Sequence, residues 1–209
     1  MNSKLNEQQS LLLISEMIEQ ARNNFQKGAG NAFILNGCAV AFIALLNVAL
    51  VFIMSNPNQS YWVWWLMAPV WFIDRLLDKK IDRAAQVKTH IDKIIGMAWR
   101  AFSIATVIFL IIIFGYAAAG NNWRICILIT PMMMLMAGTV EFITAKACRF
   151  KPILAGAYIL WSGALCCLAT YTFWYKWSGI THFFILAVCM ILGFAVPGYK
   201  LNKMAKGHV

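Results

Sequence analysis

The chain has only eight acidic residues among 209, and four of them stand where a carboxylate could do chemistry. Asp74, Asp78 and Asp82 are four residues apart, which on a helix stacks them on one face. Carboxylates one turn apart at the end of a membrane helix can hold Mg²⁺ against a diphosphate, with water in the remaining positions. Arg75, Lys79 and Arg83 repeat the spacing one position round and neutralise the acids. A solvated helix face laced with both signs has the same pattern, and the charge balance favours it over a metal site. Glu141 and Arg100 are charges inside apolar runs, where their cost marks either a ligand path or a locked pair. At 1.5 Å per residue from the aromatic outer ends of their runs, Asp74 and Arg75 lie about 20 Å in, and Glu141 about 27 Å in with Arg100 at similar height. Arg100 and Glu141 are nearly equidistant from a turn near Asn121. The expectation is that they pair and, with Asp74 and Arg75, line an inner-leaflet polar pocket for a substrate or ion. Snorkelling or hairpin-locking ion pairs are the plainer reading of the same charges.

Other chemistry is thin, and no cofactor is expected. Cys38, Cys126, Cys148, Cys166, Cys167 and Cys189 form no CxxC pair and read as small apolar residues. His90, His182 and His208 do not give the facing pair that bis-histidine haem ligation needs. There is no glycine-rich phosphate loop, nucleophile elbow or zinc motif. Asn31, Asn36 and Asn47 punctuate the first apolar run, with Thr106, Thr130, Thr139 and Ser162 in later ones. They read as interhelical hydrogen-bond glue, with pathway lining as the alternative. Gly37, Gly115, Gly138, Gly156, Gly163 and Gly193 should permit close helix approach.

The Asp74-x-x-x-Asp78-x-x-x-Asp82 spacing resembles one aspartate motif of membrane prenyltransferases and part of the motif of alcohol phosphatidyltransferases. That resemblance implies a Mg²⁺-dependent lipid-modifying enzyme. It spans nine residues and lacks the second aspartate motif of the first family and the Asp-Gly-x-x-Ala-Arg element of the second. The layout as a whole resembles small bacterial six-span inner-membrane proteins. The similarity is carried by an amphipathic N-terminal helix, the entry Gly28-Ala29-Gly30-Asn31-x-Phe33 and the exit Pro197-Gly198-Tyr199-x-Leu201-Asn202. It implies a fold and a membrane but no activity.

The elements that must position these residues follow from composition. Hydrophobic residues make up 61% and charged ones 12%, against about 45–50% and about 25% in soluble domains. A soluble fold of this size could not hide that much apolar surface, so the surplus must face lipid. Disorder, a disulfide-rich mini-protein and a collagen-like fibre are excluded by the same figures. Six apolar runs, at about 32–54, 61–77, 97–119, 124–145, 153–174 and 180–199, approach the roughly 20 residues a spanning helix needs. They do not alternate as barrel strands would. The polar start of the chain gives no expectation of a cleavable signal peptide.

Fifteen of the eighteen Lys and Arg fall on one side of these runs, only Arg124 and Lys176 on the other, and Arg100 within the mouth of the third. Both termini are therefore expected in the cytoplasm. The net charge of +10 follows from that asymmetry and is not read as a nucleic-acid footprint. Six of the nine Trp (Trp62, Trp64, Trp65, Trp123, Trp174 and Trp177) fall at the outer ends, where indole favours the headgroup level. Leu11, Ile14, Ile18, Ala21 and Phe25 recur at steps of three and four, which predicts an amphipathic helix over 4–27. It either docks against its own bundle or a partner helix, or lies on the membrane. Pro69 and Pro197 stand near the inner ends of the second and sixth runs, Pro131 farther out in the fourth; a duplicated hairpin would leave such a trace, but the ordinary needs of membrane helix ends account for these exits more simply.

The reading that results is an all-α, single-domain, six-span protein of a bacterial cytoplasmic membrane, three hairpins preceded by a cytoplasmic amphipathic helix. It is expected to work without catalysis, as a sensor, regulatory or assembly partner, through that helix and the charged 74–96 connection. Membrane lipid and a protein partner or second copy are its expected contacts. A small transporter or channel using Asp74, Arg75, Arg100 and Glu141 is the alternative. A Mg²⁺-dependent lipid-modifying enzyme using Asp74, Asp78 and Asp82 is the third.

Overall fold

The computed structural model describes Leu12 and residues 29–54, 57–84, 90–174 and 177–207. Apart from Leu12, the expected helix 4–27 lies outside the described residues, and Asp78 and Asp82 are described in backbone only. All regular structure among the described residues is helical. Helix α1 is Ala29–Ile53; a 3₁₀ segment, Pro57–Leu66, leads into α2, Met67–Ala84. Helix α3 is His90–Ala119; a second 3₁₀ segment, Trp123–Leu128, leads into α4, Ile129–Cys148. Helix α5 is Lys151–Phe173, and α6, Ser178–Met190, passes through a π segment, Ile191–Ala195, into α7, Val196–Gly207.

Prolines explain where the helices change form. Pro69 and Pro131 are each the third residue of an α-helix that follows a 3₁₀ segment. A proline is tolerated in the first turn, where its missing N–H would have no partner, but farther along it blocks the α ladder behind it. Pro197 is the second residue of α7, directly beyond the π segment. The helices α1, α3 and α5 that precede these interrupted stretches run unbroken.

Two of the turns between helices are closed by their own backbones. At the end of α3 the N–H of Asn122 reaches the carbonyl of Ala117 at 3.0 Å and that of Asn121 reaches Ala118 at 3.3 Å. That pair of bonds is a Schellman closure, with Asn121 left-handed at φ 47°. The α4 to α5 turn bends in the same way, with Arg149 at φ 51° and the N–H of Phe150 on the carbonyl of Ala145 at 3.1 Å.

Helices α4 and α5 pack most extensively; α1 lies along α6, the π segment and α7 and is flanked by α2 and its 3₁₀ lead; α3 packs along α4. One end of the bundle gathers Phe33, Trp99 and Phe194, whose rings lie 5.6 to 6.1 Å apart, above a cluster of Ala145, Phe150, Ile153 and Leu201. The other end gathers Asn47 with Ser60, Tyr61 and Trp64 against Phe183, and His182 against Cys167.

Among the described residues, five helices are long and apolar enough to cross a membrane: Gly30–Ile53, Ile91–Ala119, Trp123–Cys148, Lys151–Phe173 and Ser178–Met204. The protein is a multi-pass, membrane-embedded helical bundle. The expected span 61–77 is not one of the five, because the chain there is 3₁₀ up to Leu66 and α2 soon turns charged. Helix α3 is the least buried of the five, exposing Ile104, Val107, Ile108 and Ile111 as a lipid-facing helix must.

Candidate functional site

The two sequence motifs at entry and exit meet in space. A Cβ added to Gly30 would lie 2.2 Å from the carbonyl oxygen of Gly198, and one added to Gly198 would lie 2.8 Å from that of Gly30 and 2.8 Å from Phe33 Cβ. Only glycine on both helices allows this approach. Asn202 on α7 then locks it. Its Oδ1 accepts the backbone N–H of Gly30 at 3.1 Å, and its Nδ2 donates to Asn31 Oδ1 at 2.7 Å. Gly30 lies in the first turn of α1, whose N–H groups have no partner within the helix, so Asn202 caps α1 from a helix 172 residues away. Gly37, seven residues farther along α1, would place a Cβ 2.7 Å from Ala195 N and 2.9 Å from the Met190 carbonyl and Phe194 Cβ.

Asp74 joins the same helix from the other flank. Asn36 Nδ2 donates to Asp74 Oδ2 at 3.0 Å and also to the Ala32 carbonyl at 3.0 Å, using both amide hydrogens. Asp74 Oδ1 is buried without a partner. Arg75 turns outward and lies over the Trp71 ring at 5.0 Å, a cation–π distance.

The expected pairing of Arg100 with Glu141 does not form. Arg100 is exposed on α3 and its Nε donates to the Gly96 carbonyl at 3.2 Å, while both Glu141 oxygens are buried with no hydrogen-bond partner. Equal distance from the hairpin turn fixed their height but not their faces, and the faces diverge. The four charges therefore do not line one pocket: Asp74 belongs to the α1–α2 contact, Arg75 and Arg100 face outward, and Glu141 sits inside the bundle. Among the described residues no three His, Cys, Asp or Glu stand together as a metal site.

Glu141 occupies a packing position. Met134 and Glu141 are seven residues apart on α4, and each sits over a glycine of α5, Met134 over Gly163 and Glu141 over Gly156. The register is knob into hole, with small residues admitting the facing side chain. At Gly156 an added Cβ would lie 2.9 Å from Glu141 Oε2 and 2.3 Å from the carbonyl oxygen of Gly193 in the π segment. Two oxygens thus converge on the space that the glycine leaves. In an α ladder the Gly193 carbonyl would receive its hydrogen from residue 197, which is proline and has none.

The remaining polar residues divide by role. Asn47 is fully buried and holds the 3₁₀ lead of α2, donating to the Ser60 carbonyl at 3.1 Å. His182 is buried, its Nε2 2.9 Å from the Cys167 carbonyl. Thr139 and Ser162, read from sequence as glue between helices, bond instead to carbonyls of their own helices, Leu135 and Ile159. Gly115 departs from its expected role too, since nothing lies within 4 Å of where its Cβ would be. Gly156, Gly193 and Pro197 were individually visible in the sequence. Their joint relation to Glu141 was not, although the four-residue step from Gly193 to Pro197 was a usable signal.

Comparison of the chain with protein families, curated proteins and solved structures returns no match in any of the three.

Proposed function

We propose that this is a six-span protein of the bacterial cytoplasmic membrane, with both termini in the cytoplasm, that acts as a sensor, regulatory or assembly partner rather than as a catalyst. A sixth span is supported by length. Pro57–Leu66 as 3₁₀ advances about 20 Å and residues 67–77 as α about 16 Å, enough for a hydrocarbon core of about 30 Å. The parts that would meet a partner are the helix expected at 4–27 and the charged connection 74–96.

One observation carries this reading: the first two turns of α1 are tied on one flank to Asn202 and on the other to Asp74. The expected cytoplasmic helix enters the bundle at that point, and the charged extension of α2 leaves it there. A partner that pulls on either element would act on one junction, which is what a relay from the cytoplasmic face into the bundle requires. Deleting residues 1–27 tests it. The truncated chain should still insert and fold but lose a specific companion that purifies with the intact one. If only stability is lost, the helix serves the bundle and the partner reading fails.

A transporter or channel is the second reading, and Glu141 favours it, because a carboxyl buried at membrane depth without a partner is costly to keep without a use.

A further inference from the structure

We propose that Glu141, the Gly193 carbonyl and the gap at Gly156 form a proton-binding site inside the membrane bundle. Packing does not ask for a carboxyl here. The equivalent knob one heptad away on α4 is Met134, which fills the matching hole over Gly163 with an apolar side chain. At Glu141 the side chain is 0% exposed and both oxygens lack a partner. The titratable groups of the surrounding elements do not pair with it: Lys146 and Cys148 on α4, Lys151 on α5, Cys189 on α6, Lys200 on α7 and Arg100 on α3 give it neither hydrogen bond nor ion pair. The π segment itself carries no titratable group.

An isolated carboxylate in such a place is far more costly than the neutral acid, so the charge must be balanced by a cation held at the carboxyl. Oxygens in view decide which cation. The atoms nearest the Gly156 gap belong to the Gly193 carbonyl and to Glu141 Oε2, two oxygens where hard metal ions take six or more. A proton needs two: the acid O–H on Oε2 as donor and the Gly193 carbonyl, deprived of its α-helical donor by Pro197, as acceptor.

Loss of that proton leaves a carboxylate that the closed bundle does not solvate. The O–H bond breaks, the proton passes to water, and that water must be admitted between α5 and the π segment. Proton release is thereby linked to opening of this contact, and rebinding to its closure. The π segment is suited to the movement, since its widened turn has a second register, the ordinary α-helix, close by in energy. The site stands independently of the partner reading above and serves a proton-coupled transporter or a proton sensor equally.

The full chain, purified and returned to lipid vesicles, provides the test. Dicyclohexylcarbodiimide adds to a protonated carboxyl in an apolar site, and the adduct rearranges to a stable acylurea that peptide mass mapping locates. Labelling should fall at Glu141, decline as pH is raised, and be lost in Glu141→Gln and in Glu141→Met. In parallel, the infrared C=O band of a protonated acid should be present in the unmodified chain, absent in both variants, and lost on alkaline titration; that reading needs no variant to fold. Three results would overturn the proposal. They are no labelling and no acid band, a band unchanged across the whole pH range, and labelling suppressed by Na⁺ at constant pH, which would make the occupant a metal cation.

Discussion

Replacing Gly30 by Ala puts a methyl group 2.2 Å from the Gly198 carbonyl oxygen and 2.7 Å from Asn202 Oδ1, where ordinary contact begins near 3.4 Å. The first obstacle is backbone, so no side chain can rotate aside; α1 and α7 must part by roughly 1 Å. Overpacking of this kind costs about 1–3 kcal/mol. Parting also stretches the two Asn202 hydrogen bonds, each worth about 0.6 kcal/mol between membrane helices and at most about 1.7. The sum is about 2–4 kcal/mol of destabilisation. Gly115→Ala is the matched control: nothing lies within 4 Å of its Cβ position, and in a helix interior alanine is favoured over glycine by about 1 kcal/mol. Unfolding both variants reversibly in mixed micelles with increasing dodecyl sulfate, followed by circular dichroism, should separate them by about 3 kcal/mol or more. Equal stabilities would refute the close approach of α1 and α7, and with it the junction on which the proposed relay depends.

Asn202→Ala removes a cap and an interhelical bond together and should cost about 1–2 kcal/mol in the same unfolding assay; Asn31→Ala should cost less, and the double variant should be non-additive. Arg100→Gln should change stability by less than about 0.5 kcal/mol, because Arg100 is exposed and bonds to the Gly96 carbonyl of its own helix; a loss of about 3–5 kcal/mol would restore the buried ion pair that the sequence suggested. Asp74→Asn keeps an oxygen for Asn36 and should be near neutral, while Asp74→Leu leaves the contact empty and should cost about 1 kcal/mol, read from the same denaturation midpoints. Glu141→Met should fold and be as stable as the parent or more so by about 1–2 kcal/mol, since an apolar knob replaces a buried unpartnered acid; a strong destabilisation would mean that the carboxyl is structural.

The membrane-embedded helical class was legible because composition and long apolar runs depend on lipid, a solvent whose demands reach every residue. The turn near Asn121 was equally close to the surface of the sequence, and its left-handed backbone was not read there. What failed was azimuth. Position along a membrane helix follows from counting residues at 1.5 Å each, and that count placed Arg100 and Glu141 at one height. Which way each side chain faces depends on helix rotation, set by glycines on neighbouring helices that lie far away in sequence. Gly156 and Gly163 draw Glu141 and Met134 inward toward α5, whereas α3, packed chiefly along α4, leaves Arg100 on an open face. The hydroxyls of Thr139 and Ser162 misled for a related reason: a carbonyl of their own helix is always within reach, and a partner helix is not.

The prolines were read from sequence as helix exits, and their effect in the structure is larger. Each of the continuous helices α1, α3 and α5 is followed by a stretch that changes form just before a proline. In lipid a backbone group deprived of its ladder partner has to be covered by protein. The π segment meets that demand: Gly193 and Phe194 are buried, against Gly156 and Leu160 of α5 in the first case and Phe33 and Trp99 in the second. The irregular backbone, the buried acid and the glycine gap therefore belong to one contact, and each explains the others. Pro197 removes a donor from the Gly193 carbonyl, Gly156 lets that carbonyl approach α4, and Glu141 is the side chain there able to supply the missing hydrogen. Restoring the donor through Pro197→Ala should let the π segment revert toward α-helix and withdraw the acceptor. Glu141 would then keep its acid but lose its partner, and carbodiimide labelling should rise rather than disappear.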